Sequence, residues 1–444
     1  MTDRTRNGAP SGPARRGRRT AGGLAATVTA AVAVAALLAA DAGPPAGTRC
    51  DRIDPPPTAD ADGGFTAVAA GGPRHVWAFG TFYPAGTDPY GGDANPVPRG
   101  LRWDGQTWHE LDLPASWPDA TLAAAASGPD DLWVVGEEAA DVERAEWFVA
   151  DPAEYTAMHH DGSRWRRYVL TDLLDPALHS GEGAEPRIVT DLEVIAPDDV
   201  WLVAEVGTQV WSRGPGATRH VLHFDGAGWS RAALPPTGYE LAALGPDNVI
   251  AVGTDGRQLT AERWDGAVWR PMPVPEQPLP TGTGGRDRYE FTGVHAEAPD
   301  DVWAVGRLVN SDGLSSVRGA VLAHWDGTAW QVALDDPDRS YLSVTGDGAG
   351  GLWITRGAGG ILPEPPAIDG DLLHRGPGGA MTPYDVDAAA PPDRVYHDAA
   401  PNPLERTSVV RVPGTTDLVV AGTLTETSDG DPVTQHGAVR LCTW

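Results

Sequence analysis

The chain has 444 residues, 55 of them Gly and 41 Pro, a composition that favours many turns and short strands over long helices. All 33 basic residues are arginines, set against 61 acids for a formal net charge of −28. A surface this acidic repels phosphate backbones, which argues against nucleic acid as a partner.

Residues 1–42 read as a targeting segment. Arg15-Arg16-Gly17-Arg18-Arg19 is a basic start, Ala21 to Ala40 is an apolar Ala-rich helix, and Ala40-Asp41-Ala42 offers small residues for cleavage. The apolar run also has the length of a membrane span. The segment is therefore a signal peptide or a retained membrane anchor, with cleavage preferred. Positive charge on its N-terminal side places the rest outside the cytoplasm in both cases. Its six Arg against Asp3 and Asp41 leave the body of the chain near −32.

Residues 43–64 are rich in Pro, Gly and Asp and read as a tether, with one strand-like piece, Gly47 to Ile53. Seven related units fill 65–444. Their second strands are HVWAFG (75–80), PDDLWVVG (129–136), PDDVWLVA (197–204), PDNVIAVG (246–253), PDDVWAVG (299–306), GGLWITRG (350–357) and TDLVVAG (416–422). The clearest unit is Phe291 to Leu334. There Phe291–Glu297 alternates as a strand, Pro299-Asp300-Asp301 is turn chemistry, and Val302–Val305 is a strand ended by Gly306. A variable loop precedes a third strand through Trp325. Asp326-Gly327 then signals a tight hairpin, because Gly tolerates the positive φ that such turns demand. The same hairpin recurs as WDGQTW, HDGSRW, FDGAGW and WDGAVW, and is lost from the sixth unit.

Seven four-stranded meanders of this length predict an all-β fold, a seven-bladed β-propeller of four-stranded antiparallel blades. Trp77, Trp133, Trp201, Trp303 and Trp353 form one column, and Trp108, Trp165, Trp229, Trp269 and Trp330 another. Large aromatics at fixed strand positions fill the wedges between blades. The seventh unit lacks a fourth strand, which Gly47–Ile53 can supply. That places Cys50 and Cys442, the two cysteines of the chain, within about a residue of facing each other. An exported chain is oxidised, so a Cys50–Cys442 disulfide is expected to lock the ring, contributing roughly 4–5 kcal/mol through lost unfolded-state entropy.

The two tight turns of each unit fall on one face, and the long, variable loops fall on the other, where a ligand site is expected. Nine residues before the first Trp column lies an apolar series: Val68, Ala124, Leu192, Leu241, Val294, Val344 and Val410. One residue on, Glu193, His295 and Arg411 alternate to the opposite side, so they are the candidate ligand-binding residues lining the channel. Asp191 and Glu240 come from the position before. Asp60-Ala61-Asp62 and Asp336-Pro337-Asp338 lack the remaining ligands of a calcium loop. No metal-ligand spacing, phosphate loop or nucleophile elbow is present, and no cofactor is implied.

The units resemble exported β-propeller proteins of actinobacteria built on DDVWAVG and HWDGTxW repeats, over about 65–444. The D-G-x-x-W hairpin is similar to a shortened Asp-box of sialidase-type propellers. The Trp-Asp step is similar to WD40 repeats without their Gly-His. Kelch-like galactose-oxidase enzymes need a copper-site cysteine, and both cysteines here are used at the closure. The resemblance carries no catalytic residues. Two readings follow. The first is a non-catalytic, monomeric, extracellular or cell-surface binding module for an envelope polymer, glycan or protein, touching the membrane only through its N-terminal segment. The second is a glycan-directed hydrolase or lyase using Glu193, Asp191 or Glu240 with His295. The two require different geometry at the channel.

Overall fold

In a computed structural model, the residues described are 49–52, 61–84, 97–138, 154–174, 187–206, 218–279, 287–310, 316–335, 339–358, 372–384, 394–397, 408–428 and 431–443. The signal or anchor segment 1–42 and most of the tether lie outside them. Among the described residues no helix is long and apolar enough to cross a membrane.

In blade 5, Asp287–Ala298, Asp301–Asn310, Ser316–Trp325 and Trp330–Asp335 pair in chain order as an antiparallel sheet. Five further sheets repeat this arrangement. The inner strands of blades 1 to 7 are Ala61–Gly72, Ala120–Gly128, Arg187–Ala196, Gly238–Gly245, Asp287–Ala298, Arg339–Gly346 and Ser408–Arg411. Each touches the next, and the last touches the first. The ring is a seven-bladed β-propeller. It is nearly all-β, with Thr171–Leu174 as one short helical turn.

The repeated residues have local reasons. In the hairpin of blade 5, Asp326 Oδ1 accepts from the Thr328 and Ala329 amides, both at 2.9 Å. Gly327 follows at φ 88°, where other residues are strained. Asp104, Asp161, Asp225 and Asp265 accept two amides in the same way. Hydrogen bonds hold three of these carboxyls far below the usual carboxylate range, led by the Thr107 amide at Asp104, the Ser163 hydroxyl at Asp161 and the Thr328 hydroxyl at Asp326, with the other turn amides adding. A Cβ on Gly327 would also stand 2.7 Å from Asp300 of the preceding turn. The two tight turns of a blade thus lie against each other. Blade 6 has no Asp-Gly step in this hairpin, yet Leu372–Arg375 and Met381–Tyr384 still pair around Gly379 at φ 87°.

Gly306 does not end its strand, which runs on to Asn310. It sits opposite a bulge between Phe291 and Gly293, where a Cβ would run into the Glu290 carbonyl. Gly80, Gly136 and Gly253 meet an inner-strand carbonyl in the same way. The glycine that closes the VWAVG motif therefore makes room for the bulge. Gly306→Ala should lower stability by about 2–3 kcal/mol, the upper range for overpacking, because the obstacle is backbone. Chemical unfolding measures it, and an unchanged midpoint would remove this account of the motif.

The cores lie between blades. Seven separate apolar clusters fill the seven interfaces, including Phe65, Val68 and Trp108 of blade 1 with Val419 and Val439 of blade 7. The tryptophans act as the wedges expected of them. Trp133 of blade 2 meets Phe224 and Trp229 of blade 3 at ring distances of 4.8 and 5.5 Å. Trp201 of blade 3 meets Trp264 and Trp269 of blade 4. Blade 6 has Arg375 where blade 5 has Trp325, and Arg375 stands 4.2 Å over the Trp303 ring.

Blade 7 is built differently. Its inner position is shared along Leu418–Ser428 by Ser408–Arg411 and by Arg394–His397. The second of these precedes the seventh unit's inner strand in the chain. Asp431–Thr443 is the third strand, and Arg49–Arg52 pairs along it as the fourth. Cys50 is the direct register partner of Cys442.

Candidate functional site

A network that the sequence reading missed lies beneath the tight turns. Asp131, Asp199, Asp301 and Asp347 each bind the Nε2 of a third-strand histidine: His159, His223, His324 and His374, at 2.7 to 2.8 Å. Each imidazole packs on the blade's tryptophan, most closely His324 on Trp303 at 3.9 Å and 14°. Trp201 and Trp303 also donate their indole N–H to the same aspartates. The sequence signal was a histidine two residues before the Asp-Gly hairpin in blades 2, 3 and 5, and blade 6 carries His374 at the matching position opposite Trp353 without that hairpin. These groups are tied to one another and form scaffold.

The candidates along the inner strands divide into two places. Asp191 and Glu193, one strand step apart on the same side, face blade 4. Asp191 Oδ1 accepts from the Leu192 amide at 2.9 Å, and Oδ2 from the Leu241 amide of blade 4 at 2.5 Å. Its carboxylate therefore fastens two inner strands together. Glu193 lies beside it, enclosed by protein although part of its surface stays accessible. Burial, with the Asp191 charge adding, pushes its carboxyl well above the usual range. Glu240 is buried, 1% exposed.

His295 and Arg411 meet on the other side of the ring. The alternation that groups Arg411 with Glu193 and His295 is off by one residue. In blades 3 and 5 this column pairs with the tryptophan, Glu193 with Trp201 and His295 with Trp303. Arg411 instead pairs with Leu418, the residue before the matching position. The inner strands of blades 1 to 5 shift register just before their tight turns, as between Ala296 and Ala298, and those of blades 6 and 7 do not. In blade 6 Thr345 still pairs with Trp353 eight residues on, whereas in blade 7 Val410 pairs with Val419 nine residues on, so the turn of blade 7 is one residue longer. Val410 accordingly packs into the cluster shared with blade 1, and Val409 into the one shared with blade 6. Arg411 faces blade 6 with Val409. His295, from blade 5, faces blade 6 from the opposite side.

The two residues converge on the turn that follows the inner strand of blade 6. A Cβ on Gly346 would stand 2.5 Å from His295 Nε2 and 2.9 Å from Glu297 Oε2, and one on Gly348 would run into the Arg411 guanidinium. His295 Nε2 lies 3.2 Å from Glu297 Oε2. That hydrogen bond, with the charges of His295 and Arg411, holds the Glu297 carboxyl below its ordinary range against partial burial. Glu297 and the two glycines were missed in the sequence because they follow the column rather than belong to it.

His295, Glu297 and Arg411 stand next to tight turns, away from the long-loop face on which a site is expected, whereas Asp191 and Glu240 lie within their strands. The long loops fall largely outside the described residues. So do Asp60 and Asp336–Asp338. Among the described residues no group of three His, Cys, Asp or Glu is placed to hold a metal.

No family model matches the sequence, and no curated protein does. Several solved structures are similar over most of the chain. One is YCF48 from Cyanidioschyzon merolae, 14% identical, covering 89% of this chain and 98% of that one at a TM-score of 0.44. A Penicillium chrysogenum α-L-arabinanase complexed with arabinobiose is 10% identical, covering 89% and 98% at 0.42. The β-propeller domain of the Trilobed protease from Pyrococcus furiosus, described as having an open velcro topology, is 11% identical, covering 85% and 96% at 0.43. The chain is similar to these in architecture, and neither ligand nor activity is carried over from them.

Proposed function

We propose that this chain is a non-catalytic binding module acting outside the cytoplasm. One observation carries the reading: two of the three carboxylates named for catalysis, Asp191 and Glu240, are bound or buried in the scaffold, whereas His295, Glu297 and Arg411 form an accessible polar cluster. Glycoside hydrolysis needs two available carboxyl groups roughly 5–10 Å apart. Asp191 has both oxygens engaged by amides, and Glu240 is buried. Glu193 has the raised proton affinity of a general acid and is the residue on which a hydrolase or lyase reading would rest.

The acidic body, the basic and apolar leader, and the likeness of the repeats to exported propellers support the compartment. The register opposition of Cys50 and Cys442 supports a disulfide between them.

The test is a screen of glycans, envelope polymers and peptides against the full chain, His295→Ala and Glu193→Ala. The expected result is a retained ligand whose affinity falls about tenfold in His295→Ala and is unchanged in Glu193→Ala. Ligand cleavage that stops in Glu193→Ala would replace this reading with the hydrolase.

A further inference from the structure

Blade 1 breaks the pairing that organises the tight-turn face. In blades 2, 3, 5 and 6 an aspartate opening the second strand binds a third-strand histidine. The equivalent positions in blade 1 hold His75 and Arg102. Gly72 pairs with His75 as Ala298 pairs with Asp301, and Trp77 pairs with Arg102 as Trp303 pairs with His324. A side chain that can carry positive charge stands at each position, and the carboxylate is missing. Blade 4 also has an arginine there, but Arg263 donates to the Pro299 carbonyl of the blade 5 turn. Arg102 makes no hydrogen bond or ion pair with any described residue, and its Nε is enclosed without an acceptor. His75 packs on Trp77 with ring centres 6.2 Å apart, and both His75 and Arg102 stay partly exposed. Arg74 beside them is exposed, its Nε donating to the Asp104 carbonyl at 3.4 Å. Asp130, exposed on the turn of blade 2, acts on His75 through its charge and forms an ion pair with neither residue. His160 of blade 2 feels both Arg102 and Asp130.

We propose that blade 1 takes the missing carboxylate from outside, His75 and Arg102 together holding the single carboxylate group of a ligand on the tight-turn face. The site shares no residue with the His295 cluster. In the four paired blades an aspartate oxygen lies 2.7 to 2.8 Å from the imidazole across this same diagonal, so the scaffold already brings a carboxylate and a ring nitrogen together there. A planar guanidinium adds parallel N–H donors that match one carboxylate. Burial lowers the proton affinity of His75, the charges of Arg102 and Arg74 lower it further, and Asp130 opposes them. A bound carboxylate offsets the two arginines, so binding and protonation of His75 favour each other, and binding strengthens as pH falls. Multiply charged phosphate is disfavoured by a body near −32.

The probe is acetate, titrated into the full chain while the imidazole Cε1–H signal of His75 is followed by NMR, with His75→Gln identifying that signal. Acetate is expected to move it saturably, and to bind about tenfold tighter at about pH 5.5 than at about pH 8. Arg102→Gln should weaken binding about tenfold. His75→Gln, which keeps the guanidinium, should bind without the pH dependence, followed by the thermal midpoint. The His223 signal should stay in place, because Asp199 already occupies its Nε2. A His75 signal that acetate leaves unmoved, or moves equally in Arg102→Gln, overturns the site. So does an equal shift at His223, or a pH dependence that survives in His75→Gln. Phosphate or chloride binding as tightly as acetate would mark an adventitious anion only and overturn the carboxylate assignment. N-acetylglutamate α-amide and D-galacturonate carry the same group on a peptide side chain and on a sugar, and the one that binds tighter than acetate names the source. If neither does, the bare carboxylate is the ligand.

Discussion

Asp131→Ala is expected to destabilise the protein by about 3–5 kcal/mol, the loss seen when one partner of a buried charged hydrogen-bonded pair is removed. Asp131 and His159 each expose 7% of their side chains, with Nε2 and Oδ1 2.7 Å apart. Asp131 Oδ2 also accepts from the Ser127 hydroxyl at 2.5 Å. Removing the carboxylate leaves the His159 imidazole buried without its acceptor, beneath a Trp133 ring that is fully enclosed, while the exposed Ser127 hydroxyl can turn to water. Asp301→Ala provides the internal control. It breaks the same contact in blade 5, but with 45% of the aspartate and 28% of the histidine exposed, so water replaces what is lost. Its effect should be about 1 kcal/mol. Chemical unfolding of the two variants side by side decides the matter. Equal shifts would mean that burial does not set the strength of this network.

Loss of the proposed Cys50–Cys442 bridge should be of similar size. The unreduced protein is expected to titrate with no thiols. Reduction, or Cys442→Ser, should lower stability by about 4–5 kcal/mol, because the bridge joins positions far apart in sequence and constrains the unfolded chain. The loss should appear first at the interface of blades 7 and 1, where amide exchange in Arg49–Arg52 and Asp431–Thr443 would accelerate. Two reactive thiols in the unreduced protein would refute the bridge.

Much of this fold could be read from residues that recur. The tryptophans, the Pro-Asp-Asp turns and the Asp-Gly hairpins each answer a local steric or hydrogen-bonding need, so each copy displays them. Gly306 was misread because its need is not local: the obstacle is a carbonyl on the neighbouring strand. The Asp–His pairs escaped notice because their members lie 23 to 28 residues apart. Arg411 shows the limit most clearly. Counting nine residues back assumes the same turn length in every blade, and the turn of blade 7 is one residue longer. The single-residue difference turns the arginine from blade 1 towards blade 6. Glu193 could be picked out by residue type, but its enclosure beside Asp191 depends on how the next blade packs.

The pairing of Arg49–Arg52 with Asp431–Thr443 sets the order of events during synthesis. The strand that leaves the ribosome before every other described element must wait for the one that leaves last. Blades 1 to 6 consist of neighbouring segments and can each assemble as they emerge, since their contacts are short in sequence. The last blade cannot. Until residue 443 is available the nascent molecule is an open arc with two unmatched edges, and removing a dozen C-terminal residues should leave it in that state however sound the other six blades are.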